Sequence, residues 1–127
     1  ELVQFSEYVY EEVKIIDTKW PSGTTKEKGK EVCGKKIGEW KEYHENGKIK
    51  VEFKADDKGE IQGDYNEYHA NGTKAVEGKY SFGEKSGLWT TYFETGEIES
   101  QGYYYSGEKS GKWIEHDAAG KKVKKKY

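Results

Sequence analysis

Aromatic residues and glycines recur along the chain at a fixed interval, and this recurrence is the first guide to the fold. A Gly-x-Trp or Gly-x-Tyr triplet recurs at Gly38, Gly63, Gly87 and Gly111, and these glycines are 25, 24 and 24 residues apart. The aromatic residues of the triplets are Trp40, Tyr65, Trp89 and Trp113. A period of this length is typical of repeat proteins in which each unit is one supersecondary motif.

Each unit is predicted to be a β-hairpin. Asn46-Gly47 and Asn71-Gly72 follow stretches rich in aromatic residues, and an Asn-Gly pair between strands favours a type I′ turn. Glycines stand at the same offset, nine residues after the triplet glycine, in four consecutive units, at Gly47, Gly72, Gly96 and Gly120. We therefore expect turns of one kind at the same end of successive hairpins.

The segment after each turn alternates with the period of a strand. In one unit Val76, Gly78, Tyr80 and Phe82 occupy every second position, and Gly102 holds the place of Gly78 in the next unit. At these glycines a ring from the neighbouring hairpin could lie across bare backbone. Helical periodicity is missing, and glycines this frequent would cost a helix about 1 kcal/mol each. The sequence predicts an all-β protein, an elongated single sheet of repeated antiparallel hairpins.

The period divides the chain into units of one repeat domain. The predicted units are an N-terminal cap at 1–15, a degenerate repeat at 16–37, repeats at 38–62, 63–86 and 87–110, and a terminal repeat with a lysine-rich tail at 111–127. The unit that starts at Gly38 is one residue longer, which predicts a bulge or a widened loop around residues 55–57.

The repeat resembles a known family. Gly-x-Trp-x-x-Tyr-x-x-x-Gly, with Gly-Glu-Lys-Ser-Gly at residues 83–87 and 107–111, is similar to the MORN (membrane occupation and recognition nexus) repeat, in particular its bacterial variant. The resemblance implies an extended sheet of hairpins and no reaction. It also implies a role in protein interaction, sometimes near membranes, as in eukaryotic relatives. Bacterial relatives include antitoxins and exported proteins of unknown role.

Composition narrows the possible functions. Only 32% of the 127 residues are hydrophobic, but the 4 Trp, 11 Tyr and 4 Phe argue against disorder and for a thin core of rings. The net charge is −2 and all 22 basic residues are lysines, which disfavours nucleic acid as a partner. A single cysteine, Cys33, excludes an internal disulfide bond and a cysteine-based zinc site.

Candidate catalytic chemistry finds little support in the sequence. Residues 78–86 resemble a phosphate-binding loop only superficially, because Glu84 stands where that loop requires lysine. His44 and His69 share one offset in consecutive units, which favours a cross-strand surface pair over a metal site. Cys33 has no histidine or asparagine arrangement beside it. We predict no enzyme, no catalytic, metal or cofactor site, and no cofactor.

The rings are the candidates for binding. The triplet rings are expected to form the core on one face, together with the structural glycines of the turns. Tyr43, Tyr68 and Tyr92 follow them at an odd separation and therefore face the other side. Tyr103 and Tyr105, in a run of three tyrosines, are the best local candidates for contact with a partner. We expect a non-enzymatic scaffold that binds a protein partner, and the alternative is a cell-envelope protein that binds an anionic membrane or glycan surface.

The two ends differ in charge. Residues 121–127 contain five lysines and no acid, whereas residues 1–20 contain five acids and two lysines. The tail could protect a sheet edge from aggregation, contact anionic lipid headgroups, or pair head-to-tail with the acidic end of another chain. The sequence contains no methionine, so we expect an upstream segment, and an exported or cell-envelope location is slightly favoured over the cytoplasm. The oligomeric state stays undecided.

Overall fold

The computed structural model describes residues 12–117 and 119–127, which form one open antiparallel sheet. Ten strands follow one another in sequence order, each paired with the next. They are β1 (Val13–Lys19), β2 (Thr25–Val32), β3 (Lys35–Tyr43), β4 (Ile49–Ala55), β5 (Gly63–Tyr68), β6 (Lys74–Ser81), β7 (Glu84–Tyr92), β8 (Ile98–Tyr105), β9 (Glu108–His116) and β10 (Lys122–Lys126). The described residues contain no helix, and the predicted single sheet of hairpins is confirmed. Most of the predicted N-terminal cap at 1–15 lies outside the described residues.

The Asn-Gly turns differ from the prediction. Gly47 has a φ of 90°, but Asn46 is not in the left-handed region, so the turn is a type I turn followed by a glycine bulge and the predicted type I′ turn was wrong. The N–H of Gly47 donates to the carbonyl of His44 at 2.9 Å. The Asn46 side chain accepts from the N–H of Lys48 at 2.9 Å and donates to the carbonyl of Ala70 in the next unit. Asparagine is thus used for its side-chain hydrogen bonds and not for a positive φ.

Type I′ geometry occurs in the turns at the opposite ends of the strands. Both central residues have positive φ in three two-residue turns, Cys33-Gly34, Phe82-Gly83 and Ser106-Gly107. Phe82 has a φ of 49°, a conformation in which a bulky side chain is uncommon. The alternation in the sequence placed Phe82 in a strand, whereas β6 ends at Ser81.

The longer unit has a longer turn. Residues 56–60 replace the two-residue turn between β4 and β5, in line with the predicted widened loop. The Asp56 carboxylate accepts from the backbone N–H groups of Lys58 and Glu60, both at 2.9 Å. These bonds, that from Glu60 foremost, lower the pKa of Asp56 below its ordinary value.

The core is a row of indole rings that lie on bare glycine backbone. Trp89 lies over Gly78 and Trp113 over Gly102, as the alternation predicted. A Cβ atom at Gly78 would stand only 2.1 Å from Cδ2 of Trp89. The sequence reasoning missed the same relation between Trp40 and Gly29. We call the side of the sheet that carries these rings the ring face.

Lysines cover this row on its solvent side. The Lys85 ammonium lies 4.7 Å from the ring centroid of Trp89 and 5.0 Å from that of Tyr104. Lys109 lies in the same way over Trp113, at 4.6 Å. The aliphatic stem of a lysine buries apolar area while its charge stays in water and interacts with the ring. A single sheet can therefore have a core with few aliphatic residues. The lysine of each Gly-Glu-Lys-Ser-Gly segment has a structural role, because it covers a tryptophan ring.

We expect Gly78→Ala to lower the free energy of unfolding by about 1–3 kcal/mol, because the added methyl group displaces the Trp89 ring. In the Trp89→Ala background the same change should cost less than about 0.5 kcal/mol, since the ring is gone. Urea unfolding followed by circular dichroism measures both values. Equal costs in the two backgrounds would contradict the ring-on-glycine explanation, and Lys79→Ala on the same strand serves as the control.

Candidate functional site

The face opposite the indole rings carries the tyrosines that the sequence singled out. Tyr103 is paired with Leu88 across β7 and β8, while its neighbour Tyr104 packs edge-on against Trp113 on the ring face, with centroids 5.2 Å apart. Since successive side chains of a strand alternate, Tyr103 and Tyr105 project from the opposite side. We call this side the polar face.

Two tyrosines of the polar face are tied to the carboxylates of neighbouring strands. The Tyr68 hydroxyl donates to Oε2 of Glu52 at 2.7 Å, and the Tyr92 hydroxyl donates to Glu77. Burial, reinforced by the Glu52 carboxylate, raises the pKa of Tyr68 to about 12. The hydrogen bond from Tyr92 is the main cause that lowers the pKa of Glu77. These rings, and that of Tyr43, are half-buried, so they present less area to a partner.

Besides Ile98, Val123 and Tyr127, four large apolar side chains are exposed in the C-terminal half of the sheet. Their exposed fractions are 71% for Phe82, 45% for Leu88, 58% for Tyr103 and 77% for Tyr105. We call these four residues the exposed apolar cluster. Sequence reasoning identified the two tyrosines and missed Phe82 and Leu88.

Backbone contacts place the turn after Tyr105 beside the turn that carries Phe82, while Leu88 and Tyr103 are paired directly across β7 and β8. The N–H of Gly107, two residues after Tyr105, donates to the carbonyl of Lys85 at 3.1 Å. The Glu84 side chain also lies against Gly107. The turn that follows Tyr105 is thus beside the start of β7, which follows directly on the turn that carries Phe82.

The histidines connect successive units. Nε2 of His44 bonds to the carbonyl oxygen of Tyr68, and Nε2 of His69 bonds to that of Tyr92, both at 2.8 Å. The indole of Trp20 donates to a carbonyl of the following unit in the same way, at 3.1 Å. Each imidazole thus bonds to the backbone of the unit that follows, and His44 does so at the residue that precedes His69.

The described part of the chain offers no further candidate for chemistry. Its residues include no group of three or more His, Cys, Asp or Glu side chains that could hold a metal ion. Cys33 is exposed in a two-residue turn. None of the described residues belongs to a helix long and apolar enough to cross a bilayer.

Alkaline pH should report on the tyrosine–carboxylate pairs. Unfolded Tyr68 loses its proton near pH 10.0, whereas the folded residue keeps it up to about pH 12. The pair therefore stabilises the fold below pH 10, and this contribution is lost as the pH rises through that interval. We expect Tyr68→Phe to lose less stability than the wild type between these pH values, as measured by urea unfolding. An identical loss in both proteins would contradict the assignment.

Comparison with known proteins identifies the repeat. A family model described as a MORN repeat variant matches residues 36–54 and residues 85–105. The first match spans most of the β3–β4 hairpin with Trp40, and the second spans most of the β7–β8 hairpin with Trp89. A search of curated proteins finds no match to the sequence. The two matches lie in register with the structural period, so the chain contains repeats of the MORN variant at these two hairpins.

Proposed function

We propose that this protein is a non-enzymatic scaffold that recognises a protein partner through the exposed apolar cluster. The MORN repeat is a non-catalytic repeat generally involved in protein or membrane binding, which supports a binding role. In this proposal the ring face holds the sheet together and the polar face meets the partner.

The observation that carries the proposal is the exposure of the four cluster residues in a chain that is only 32% hydrophobic. Single exposed apolar residues are normal on protein surfaces, but a group of them with a polar surround is typical of interaction sites. Tyrosine and other aromatic side chains bury a large area for the loss of few rotamers. Lysines and acids of the neighbouring strands supply the polar surround.

The backbone at Phe82 adds support. A non-glycine residue in the left-handed region costs of order 1–3 kcal/mol, and such strain is concentrated at functional sites. Cys33 and Ser106 occupy the same turn position with smaller side chains. A phenylalanine at this position is unfavourable for the turn and is exposed to solvent. We attribute its presence to contact with the protein partner.

Tyr43, Tyr68 and Tyr92 have a secondary part in this proposal. They continue the polar face toward the N-terminal half, but the hydroxyls of Tyr68 and Tyr92 are already bonded to carboxylates. We assign them to the margin of the interface, where ring edges and the paired acids meet the partner. The main contact is assigned to Tyr103 and Tyr105.

The test compares capture of binding partners by the wild type and by a Tyr103→Ala, Tyr105→Ala variant. Rings at the centre of an interface contribute about 2 kcal/mol or more each, so we expect the affinity for the partner to fall by about thirtyfold for each ring removed. Ile15→Ser is the matched control, since Ile15 is 68% exposed and lies on β1 at the far end of the sheet. Quantitative mass spectrometry of the captured proteins measures the ratio, and circular dichroism verifies the fold. Undiminished capture by the double variant would show that another surface binds.

An anionic membrane or glycan surface remains the alternative, favoured by the lysines of β10. Co-sedimentation with anionic vesicles at low and high salt decides between the two, since the membrane alternative requires association that salt weakens. The antitoxin role is one form of the main proposal, and it requires that the captured partner be a toxin.

A further inference from the structure

The outer edge of β10 has its own geometry. Gly111 and Tyr127 exchange two backbone hydrogen bonds, from Gly111 N–H to Tyr127 at 3.1 Å and from Tyr127 N–H to Gly111 at 2.8 Å. In an antiparallel ladder, residues bonded in this way alternate with residues whose N–H and C=O groups point away. The groups of Lys122, Lys124 and Lys126 therefore point outward from the sheet. No strand lies beyond β10 in the described chain.

The side chains of the same three lysines lie on one face. Lys125, the residue between two of them, is paired with Trp113 and belongs to the ring face. Lys122, Lys124 and Lys126 therefore lie on the polar face, in a row spaced by two residues. Backbone hydrogen-bonding groups and positive charges thus occur at the same three positions.

This row has no neutralising partner among residues 12–117 and 119–127. Lys125 is bridged to Glu115 at 3.3 Å, whereas no described carboxylate lies within 4.0 Å of the ammonium groups of the row. Lys126 is moreover directly opposite Lys112 in the ladder. Like charges directly across a ladder are unfavourable, so an incoming negative charge would relieve this repulsion.

We propose that the outer edge of β10 binds an extended segment of a partner protein that carries acidic residues at every second position. The segment adds to the sheet as a further strand, and its acids lie opposite Lys122, Lys124 and Lys126 on the polar face. Its intervening residues lie on the ring face beside Val123 and Tyr127, which are both exposed, and are therefore apolar or β-branched. This edge is separate from the exposed apolar cluster and does not depend on the function proposed for it.

Charge selects this occupant over a second copy of the chain. The β10 strand of another copy repeats the same lysines and is repelled. The β1 strand of another copy carries Lys14, Asp17 and Lys19, which is not a row of alternating acids. An alternating acidic strand matches both the backbone positions and the charges.

The experiment measures fluorescence anisotropy of a labelled Glu-Thr-Glu-Val-Glu-Thr-Glu peptide with the full chain. We expect saturable binding, weakened about tenfold or more when each Glu is replaced by Gln, which removes the cross-strand ion pairs. The Lys122→Gln, Lys124→Gln, Lys126→Gln variant should show the same loss. Its matched control, Lys30→Gln, Lys50→Gln, Lys79→Gln, removes the same charge from exposed positions elsewhere and should bind normally.

Two methylated peptides test for strand addition. The glutamates lie opposite the outward-pointing lysines, so their N–H groups face β10, whereas those of the intervening residues face away. N-methylation of the glutamates should abolish binding, and N-methylation of the intervening residues should leave it. Equal binding of both peptides would overturn the proposal in favour of charge attraction alone. Self-association of the chain that is lost in the β10 variant, measured by sedimentation velocity, would overturn it in favour of a second copy.

Discussion

The contact between an indole ring and the bare backbone of a glycine on the adjacent strand is the constraint on which the rest of this sheet depends. No second layer covers the sheet in the part of the chain that the structure describes, so few aliphatic side chains, such as Val51 and Ala55, are buried. Trp89 solves this by lying flat on Gly78, where any side chain would occupy the space of the ring. The Lys85 side chain then covers the other side of the ring and shields it from solvent. A glycine, a tryptophan and a lysine together thus take the place of a second packed layer.

The one place without a glycine shows how strict the relation is. Trp40, Trp89 and Trp113 each follow their glycine by eleven residues, but the extra residue of the longer unit breaks this interval before Tyr65. Tyr65 is stacked instead on Phe53, with centroids 5.9 Å apart. The repeat position thus holds tyrosine, whose ring is smaller than an indole, where the adjacent strand has phenylalanine in place of glycine.

The period of the rings predicted the architecture because it expresses this contact directly in the sequence. Alternation around Gly78 and Gly102 was sufficient to predict which residues share a face. The turn type at Asn46 was not predictable in the same way, because asparagine serves both a positive φ and a side-chain hydrogen bond. Phe82 was missed because the alternation of its strand continues one step beyond the last paired residue, and only the backbone shows that the strand has already ended. The row of lysines on β10 was visible as composition, whereas the direction of its backbone groups required the ladder.

The ring and the glycine that receives it belong to different repeat units. Gly78 stands in the unit 63–86, Trp89 in the unit 87–110, and Gly102 and Trp113 repeat the relation 24 residues later. A unit on its own is therefore incomplete on both sides. Its indole ring lacks the glycine on which it packs, and its glycine lacks the ring that covers it. The two junctions on either side of the unit 87–110 have the same complementary halves, whereas the junction at Phe53 and Tyr65 differs. Duplication or deletion of the unit 87–110 within a gene would therefore restore a matched junction without any further substitution, so such a sheet can change its length in evolution in steps of two strands.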